Sequence, residues 1–307
     1  MKRFLLITIL FFAKTVFSQN EDSLDNARLS KMIELTEVVV RNKLDVASFI
    51  KRVKNDTTFY KAFRNLRVIS FTALNDIRMQ DKKGKVKATL QSKTKQHVSK
   101  GCRTMEVINE SVTGDFYDKD GGYNYYTAEL YAGLFFTKGE ICGETNIVSG
   151  TQRDVRSRKG IEKHKEQLKM LFFDPGQKIP GIPLMGDKTA IFDEDNAEKY
   201  DFSLDYVDYN GQSCYLFTIK AKSGSGVVID NMTTWFNSRS MEIVARNYDL
   251  SYNAGVYDFN VNMEVQMTQF GNLTVPSTLR YVGTWDVALK KRERGVFTAT
   301  LSDFNNQ

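Results

Sequence analysis

Two histidines, three cysteines and a few clustered acids are the residues of this chain that could do chemistry. His97 and His164 lie in separate lysine-rich settings, so a three-histidine metal centre is excluded and a mixed histidine and cysteine centre has no local frame. No metal and no cofactor is expected. Ser225 stands in the turn sequence SGSG, which lacks the pattern of a nucleophile elbow. Gly224 to Gly226 also lack the third glycine and the following helix of a dinucleotide fingerprint, and there is no phosphate-cradling G-x-x-x-x-G-K-[ST]. The Asp118–Gly122 stretch DKDGG is a turn without the rest of a calcium ladder. Asp193, Glu194 and Asp195 read as a solvated acidic turn; carboxylate pairs far apart along the chain stay open. No catalytic residue is named, and the chain is read as non-enzymatic.

What remains is chemistry of burial. Tyr215, Phe217 and Ile219 alternate along one segment, and Val261, Met263, Val265 and Met267 along another. Each set shares one face of an extended chain. Trp235 could stack a sugar or line a lipid cavity, while Met263, Met267 and Met170 suit an adaptable apolar wall. The stretch from Lys82 to Arg103 has eight basic residues and no acid. It could face phosphates, but a solvated strand face with edge lysines is the simpler reading.

These residues need long strands to hold them. From Val68 onward the apolar period is two, and the last third is the clearest: Tyr200–Val207, Ser213–Ala221, Val227–Thr233, Ile243–Leu250, Val256–Phe270, Leu273–Gly283 and Gly295–Phe304 are seven predicted strands in sequence, an antiparallel meander. Strands of this length must curl to cover their apolar face. Arg103–Ile108, Tyr123–Leu130 and Leu134–Thr137 are also read as strands, and residues 35–40 as a short one. Val46, Phe49, Ile50 and Val53 recur at helical spacing behind Asp45, so a helix runs from Val46 to about Lys54. A second is expected over Ile161–Phe172, ending at Asp174, Pro175 and Gly176. The fold class is therefore mainly β with a few helices, in one β-rich domain at 45–307 with a helix and loop insertion at about 151–187.

Residues 1–18 have two leading positive charges, an apolar run from Phe4 to Ala13 and small residues before Gln19, the pattern of a secretory signal peptide. A loose segment, 19–44, follows. Removing Lys2, Arg3 and Lys14 takes the formal charge from +6 to +3, which implies no nucleic-acid partner. No later apolar run is long enough to cross a bilayer. Cys102, Cys142 and Cys214 allow one disulfide in an oxidising compartment, with all three pairings open.

The block Val227–Leu250 (VVIDNMTTWFNSRSMEIVARNYDL), followed by Tyr257–Gly283 (YDFNVNMEVQMTQFGNLTVPSTLRYVG) with its G-x-L-x-x-P hairpin, resembles the periplasmic lipoprotein carrier and acceptor proteins and their sensor relatives. KMLFFDPG (Lys169–Gly176) and IPGIPLMGDK (Ile179–Lys188) are similar to the helix and loop that cover the cavity in that group. The resemblance spans about residues 165–304. It implies a curled antiparallel half-barrel with a helical cover, whose concave face receives acyl chains.

The expectation is an exported periplasmic protein that binds a lipid or the acyl chains of a lipoprotein. The ligand would lie against Tyr215, Phe217, Ile219, Trp235, Val261, Met263, Val265 and Met267, with Leu171 and Phe172 on the cover. The alternative is a structural or interaction module of the cell envelope, with a filled core, that binds protein or glycan.

Overall fold

The computed structural model describes residues 25–41, 44–148, 167, 170–179, 185, 187–253, 257–287 and 292–306. The leader at 1–18 and most of the insertion, including Ile161–Glu166 and His164, lie outside the described residues.

Alternating burial builds the sheet. The seven predicted C-terminal strands are present as β6 (Tyr200–Tyr209), β7 (Gln212–Ala221), β8 (Ile229–Asn237), β9 (Ile243–Asn253), β10 (Tyr257–Phe270), β11 (Leu273–Val287) and β12 (Glu293–Asn305). Each pairs antiparallel with the next. Asn210 and Gly211 both take positive φ in the β6–β7 turn, the geometry that suits a tight hairpin. The N-terminal strands β2 (Ser70–Gln80), β3 (Val86–Ser99), β4 (Cys102–Thr113) and β5 (Ile141–Cys142) continue the sheet from β12, because β2 lies antiparallel against β12. At the other edge β1 (Ile33–Leu35) runs parallel to β6. The result is a single twelve-stranded sheet, curled and not closed into a barrel. Segments before and after the insertion share it.

On the inner face of β10, Val261, Met263 and Val265 are each at most 1% exposed. Met263 stands opposite Tyr248 on β9 and Tyr281 on β11. Tyr281 leans over Gly283, and the Trp285 indole N–H donates to its hydroxyl at 2.6 Å. A Cβ at position 283 would meet that hydroxyl at 2.0 Å, and the Tyr281 ring is itself buried. Gly283→Ala is thus expected to cost about 1–3 kcal/mol through overpacking. Urea unfolding tests this, and a wild-type midpoint would refute it.

Three helices cap the concave face. Helix α1 (Val46–Lys54) starts where the sequence places it, with the Asp45 carboxylate accepting from the Ser48 N–H at 3.1 Å. Its apolar stripe of Phe49, Ile50 and Val53 is buried, and Lys51, Arg52 and Lys54 complement its C-terminal dipole. Helix α2 is Thr58–Asn65 and buries Phe59, Tyr60 and Phe63.

Helix α3 (Tyr126–Phe135) corrects the sequence reading, which gave strands over Tyr123–Leu130 and Leu134–Thr137. YTAELYAGLF is apolar nearly all round, and a short run of that kind has no period to separate helix from strand. Its first turn is fixed from outside: the Glu293 carboxylate accepts from the N–H groups of Tyr126 and Thr127 at 3.0 and 2.8 Å. Within 35–40, a one-turn helix at Glu37–Arg41 follows β1 in place of the expected strand. No helix among the described residues is long and apolar enough to cross a membrane.

Candidate functional site: a cleft roofed by two helices

The face expected to hold a ligand is filled. Tyr215, Phe217 and Ile219 do share the inner face of β7, at 8%, 1% and 0% exposure. Phe49 of α1 occupies the space above them, with its ring edge-on to Tyr215, Phe217 and Phe236 at 6.3, 5.4 and 5.5 Å. Val261, Met263 and Val265 are buried in the same packed cluster as Phe59 and Phe172. Phe59 meets Tyr248 edge-on at 6.3 Å, and the Tyr248 hydroxyl donates to the Phe172 carbonyl. Leu171 and Phe172 are wholly buried as cover, and Phe172 packs on Tyr281 and Trp285.

Two of the expected residues stand apart. Trp235 neighbours the inward Phe236, so alternation sends it to the opposite face, where it packs on Tyr209 with ring centroids 4.9 Å apart. Met267 follows a β-bulge at Gln266 and Met267 and is half-buried.

An open cleft lies farther along the sheet. It measures about 320 Å³ and has a floor made by Phe71, Ala73 and Asn75 of β2, Thr94 and Gln96 of β3, Leu279 of β11, and Ala299 and Leu301 of β12. Its roof is α2 through Tyr60 and Phe63, the end of α3 through Leu134 and Phe135, and Phe173. None of the ten expected residues lines it. The volume falls at the small end of the roughly 300–1,000 Å³ usual for small-molecule sites.

The cleft has an apolar half and a polar rim. Phe63 stacks on Phe173 at 4.2 Å and Phe135 meets Phe173 at 5.8 Å, so the roof is aromatic. On the floor the Asn75 amide donates to Ser92 and Thr94 hydroxyls at 3.3 and 3.2 Å. Gln96 donates to the Leu66 and Ile69 carbonyls at 2.6 and 2.8 Å, and its carbonyl accepts from Thr137.

At the rim Arg64, Arg67 and Arg103 gather round Glu144. Arg67 pairs with Glu144 at 3.2 Å, and Arg103 pairs with the same carboxylate and donates to Thr137. Burial by itself would raise the Glu144 carboxyl; the Arg103 hydrogen bond and the charges of Arg103, Arg67 and Arg64 outweigh it and hold the group below the usual carboxylate range. Residues 143–148, called the strap below, carry Glu144 across the end of α2. Arg64 donates twice to the Thr145 carbonyl, at 3.1 and 2.8 Å, and Asn146 donates to Asn65 at 2.8 Å.

The strap is anchored by β5, where Cys142 forms a disulfide with Cys102 of β4, and Cys214 is left free and buried. Closing that 40-residue separation contributes about 4 kcal/mol in the chain-entropy account. Glu140 lies beside the two cysteines, but their sulfurs are bonded to each other and are not metal ligands.

Other residues weighed for chemistry have structural work. The Asp118 carboxylate accepts from the N–H groups of Asp120 and Gly122, holding its turn. Lys87, Lys93 and Lys95 are exposed on the outer side of β3, and His97 faces Glu106.

Gln96, Arg103 and Glu144 were not among the residues singled out as a site. A signal for one was present: along β3 the inward positions pass from Ala88 and Leu90 to Ser92, Thr94 and Gln96, an apolar face turning polar. The Glu144 contacts span 77 and 41 residues of sequence and leave no local trace.

No protein-family model matches the chain, and no curated protein matches it. Among solved structures it is similar to a putative outer membrane lipoprotein-sorting protein domain from Vibrio parahaemolyticus, at 10% identity and TM-score 0.28, over 80% of this chain and 89% of that one. It is also similar to a DUF1329 family protein from Desulfovibrio piger, at 11% identity and TM-score 0.25, over 82% and 94%. A third is lipovitellin, at 6% and 0.29, over 78% of this chain and 25% of that one. At these identities and TM-scores the three assign neither a family nor a ligand.

Proposed function

We propose that this protein is an exported, non-enzymatic carrier of a small lipid-like molecule, bound in the cleft between α2, α3 and the curled sheet. The observation that carries this is the cleft itself: an aromatic roof of Phe63, Phe135 and Phe173 over the aliphatic part of its floor, Ala73, Leu279, Ala299 and Leu301. Binding there is by desolvation, at about 0.8 kcal/mol for each buried methylene before ordering costs. The Cys102–Cys142 disulfide supports an oxidising setting, and with it the secretory reading of residues 1–18.

The test is mass spectrometry of organic extracts from protein purified without detergent, together with uptake of a neutral fluorescent naphthylamine probe. Ala299→Phe narrows the cleft and is expected to reduce uptake about tenfold or more. Phe217→Leu, beneath α1, is expected to leave uptake unchanged. A clean extract with no probe uptake overturns the carrier reading. That result would favour an envelope interaction module, for which the exposed Val107, Ile108 and Val112 of β4 are the supporting observation.

A further inference from the structure

The rim of the cleft is built for an anion. Arg64 comes from the end of α2, Arg67 from the turn directly after it and Arg103 from β4, so the fold brings three guanidiniums from two parts of the chain to one carboxylate. Counting these four groups, the charge is 3 − 1 = +2. Guanidinium forks match the planar, multi-oxygen faces of carboxylate and phosphate. Arg103 and Glu144 are 15% and 22% exposed, so their interaction is only partly screened by water.

Glu144 is not part of the sheet or of a roof helix. It rides on the strap, where Gly143, Thr145 and Ile147 are exposed, with Ile147 at 59%. Val148 packs against the core at the far end of the strap; the stretch between it and Cys142 buries little apolar surface, and such a stretch opens at small cost. The strap is tied at its start by the disulfide, along its length by polar contacts to Arg64 and Asn65, and at its far end by Val148 against the core. Immediately inward of the three arginines the lining becomes Phe71, Phe135, Phe173, Leu279 and Leu301.

We infer that Glu144 holds the place of a ligand's anionic head: the ligand is a single-chain amphiphile whose carboxylate or phosphate displaces Glu144 from Arg103 and Arg67, while its chain enters the aromatic part of the cleft. This rests on the carrier reading and names its ligand class. The middle of the strap then moves outward with Glu144 and remains tethered at Cys142 and Val148.

The experiment is displacement of the neutral naphthylamine probe from the full chain by oleate, oleoyl lysophosphatidate and monooleoylglycerol, each below its micelle concentration. The two anions are expected to displace the probe at about tenfold lower concentration than the neutral glyceride. The better of the two identifies the head as carboxylate or phosphate. Glu144→Gln removes the internal competitor and is expected to raise the preference for anions over the glyceride severalfold. Arg103→Gln, with Arg67→Gln as a second variant should the first not fold, is expected to lower it toward unity. Equal displacement by all three ligands, or a fall in anion preference in Glu144→Gln, overturns this inference and leaves the carrier reading standing. A probe that never enters the protein overturns both.

Discussion

Phe49→Ala is expected to destabilise the protein by about 3–5 kcal/mol, among the largest losses for any single truncation outside the cleft. Phe49 is 2% exposed and its ring touches three inward aromatics at once, two on β7 and one on β8. Removing it deletes a buried ring and leaves a void that Tyr215, Phe217 and Phe236 cannot fill without leaving their strand rotamers. The measurement is urea unfolding followed by tryptophan fluorescence, with the slope of the transition as a check on two-state behaviour. A loss below about 1 kcal/mol would contradict the plugged face.

The second large effect depends on pH. Arg246 is buried at 5% exposure among apolar groups; its guanidinium lies 4.5 Å above the Phe59 ring, and its Nε donates to the Thr234 hydroxyl at 3.0 Å. The carboxylates that balance it are Asp56, at the start of α2, and Asp174, just after the helical residues 170–173. Burial pushes the Asp174 carboxyl up to about 7; the charge of Arg246 opposes the rise and that of Asp56 adds to it.

Arg246→Met is expected to cost about 3–5 kcal/mol at pH 8, because it leaves both carboxylates without their counter-ion. At pH 5 the cost should be smaller, because Asp174 then carries a proton. For Asp174 itself the sign is fixed by linkage. Its folded pKa lies above the unfolded value of 3.8, so between those pH values the folded chain holds a proton that the unfolded chain has lost. Its contribution to stability is highest below about pH 4 and falls as pH rises to about 7. Chemical denaturation of wild type, Arg246→Met and Asp174→Asn across pH 5–8 checks both statements. Equal losses for Arg246→Met at the two ends would sink the ion-cluster account.

Much of this architecture was legible in the residues. Asp45 with Phe49, Ile50 and Val53 marked α1 to the residue, since a capping side chain and a helical stripe coincide there. The C-terminal strands announced themselves by alternation between glycine and asparagine turns. Alternation tells which side chains share a face; it is silent on whether the face is hollow. That depends on what packs above it, and the plug over β7 and β8 comes from a helix some 170 residues away in sequence. Tyr126–Phe135 was misread for another reason: its helical start is held by Glu293, far along the chain, and its own residues lack a period. The cleft as a whole leaves no local trace in the sequence, because its roof is that helix and its rim is a set of long-range ion pairs.

The pairing of β12 with β2 bears on how the chain must assemble. Phe297 sits opposite Ile77, so the seam joining the two parts of the sheet links strands separated by most of the polypeptide. A chain emerging in order from a ribosome or a secretion channel makes β2, β3 and β4 long before their partner exists. Until β12 arrives, one whole flank of β2 offers unsatisfied N–H and C=O groups to any passing strand. Topology of this kind has high contact order and closes slowly, and this sheet is completed by the last of its own twelve strands to be made.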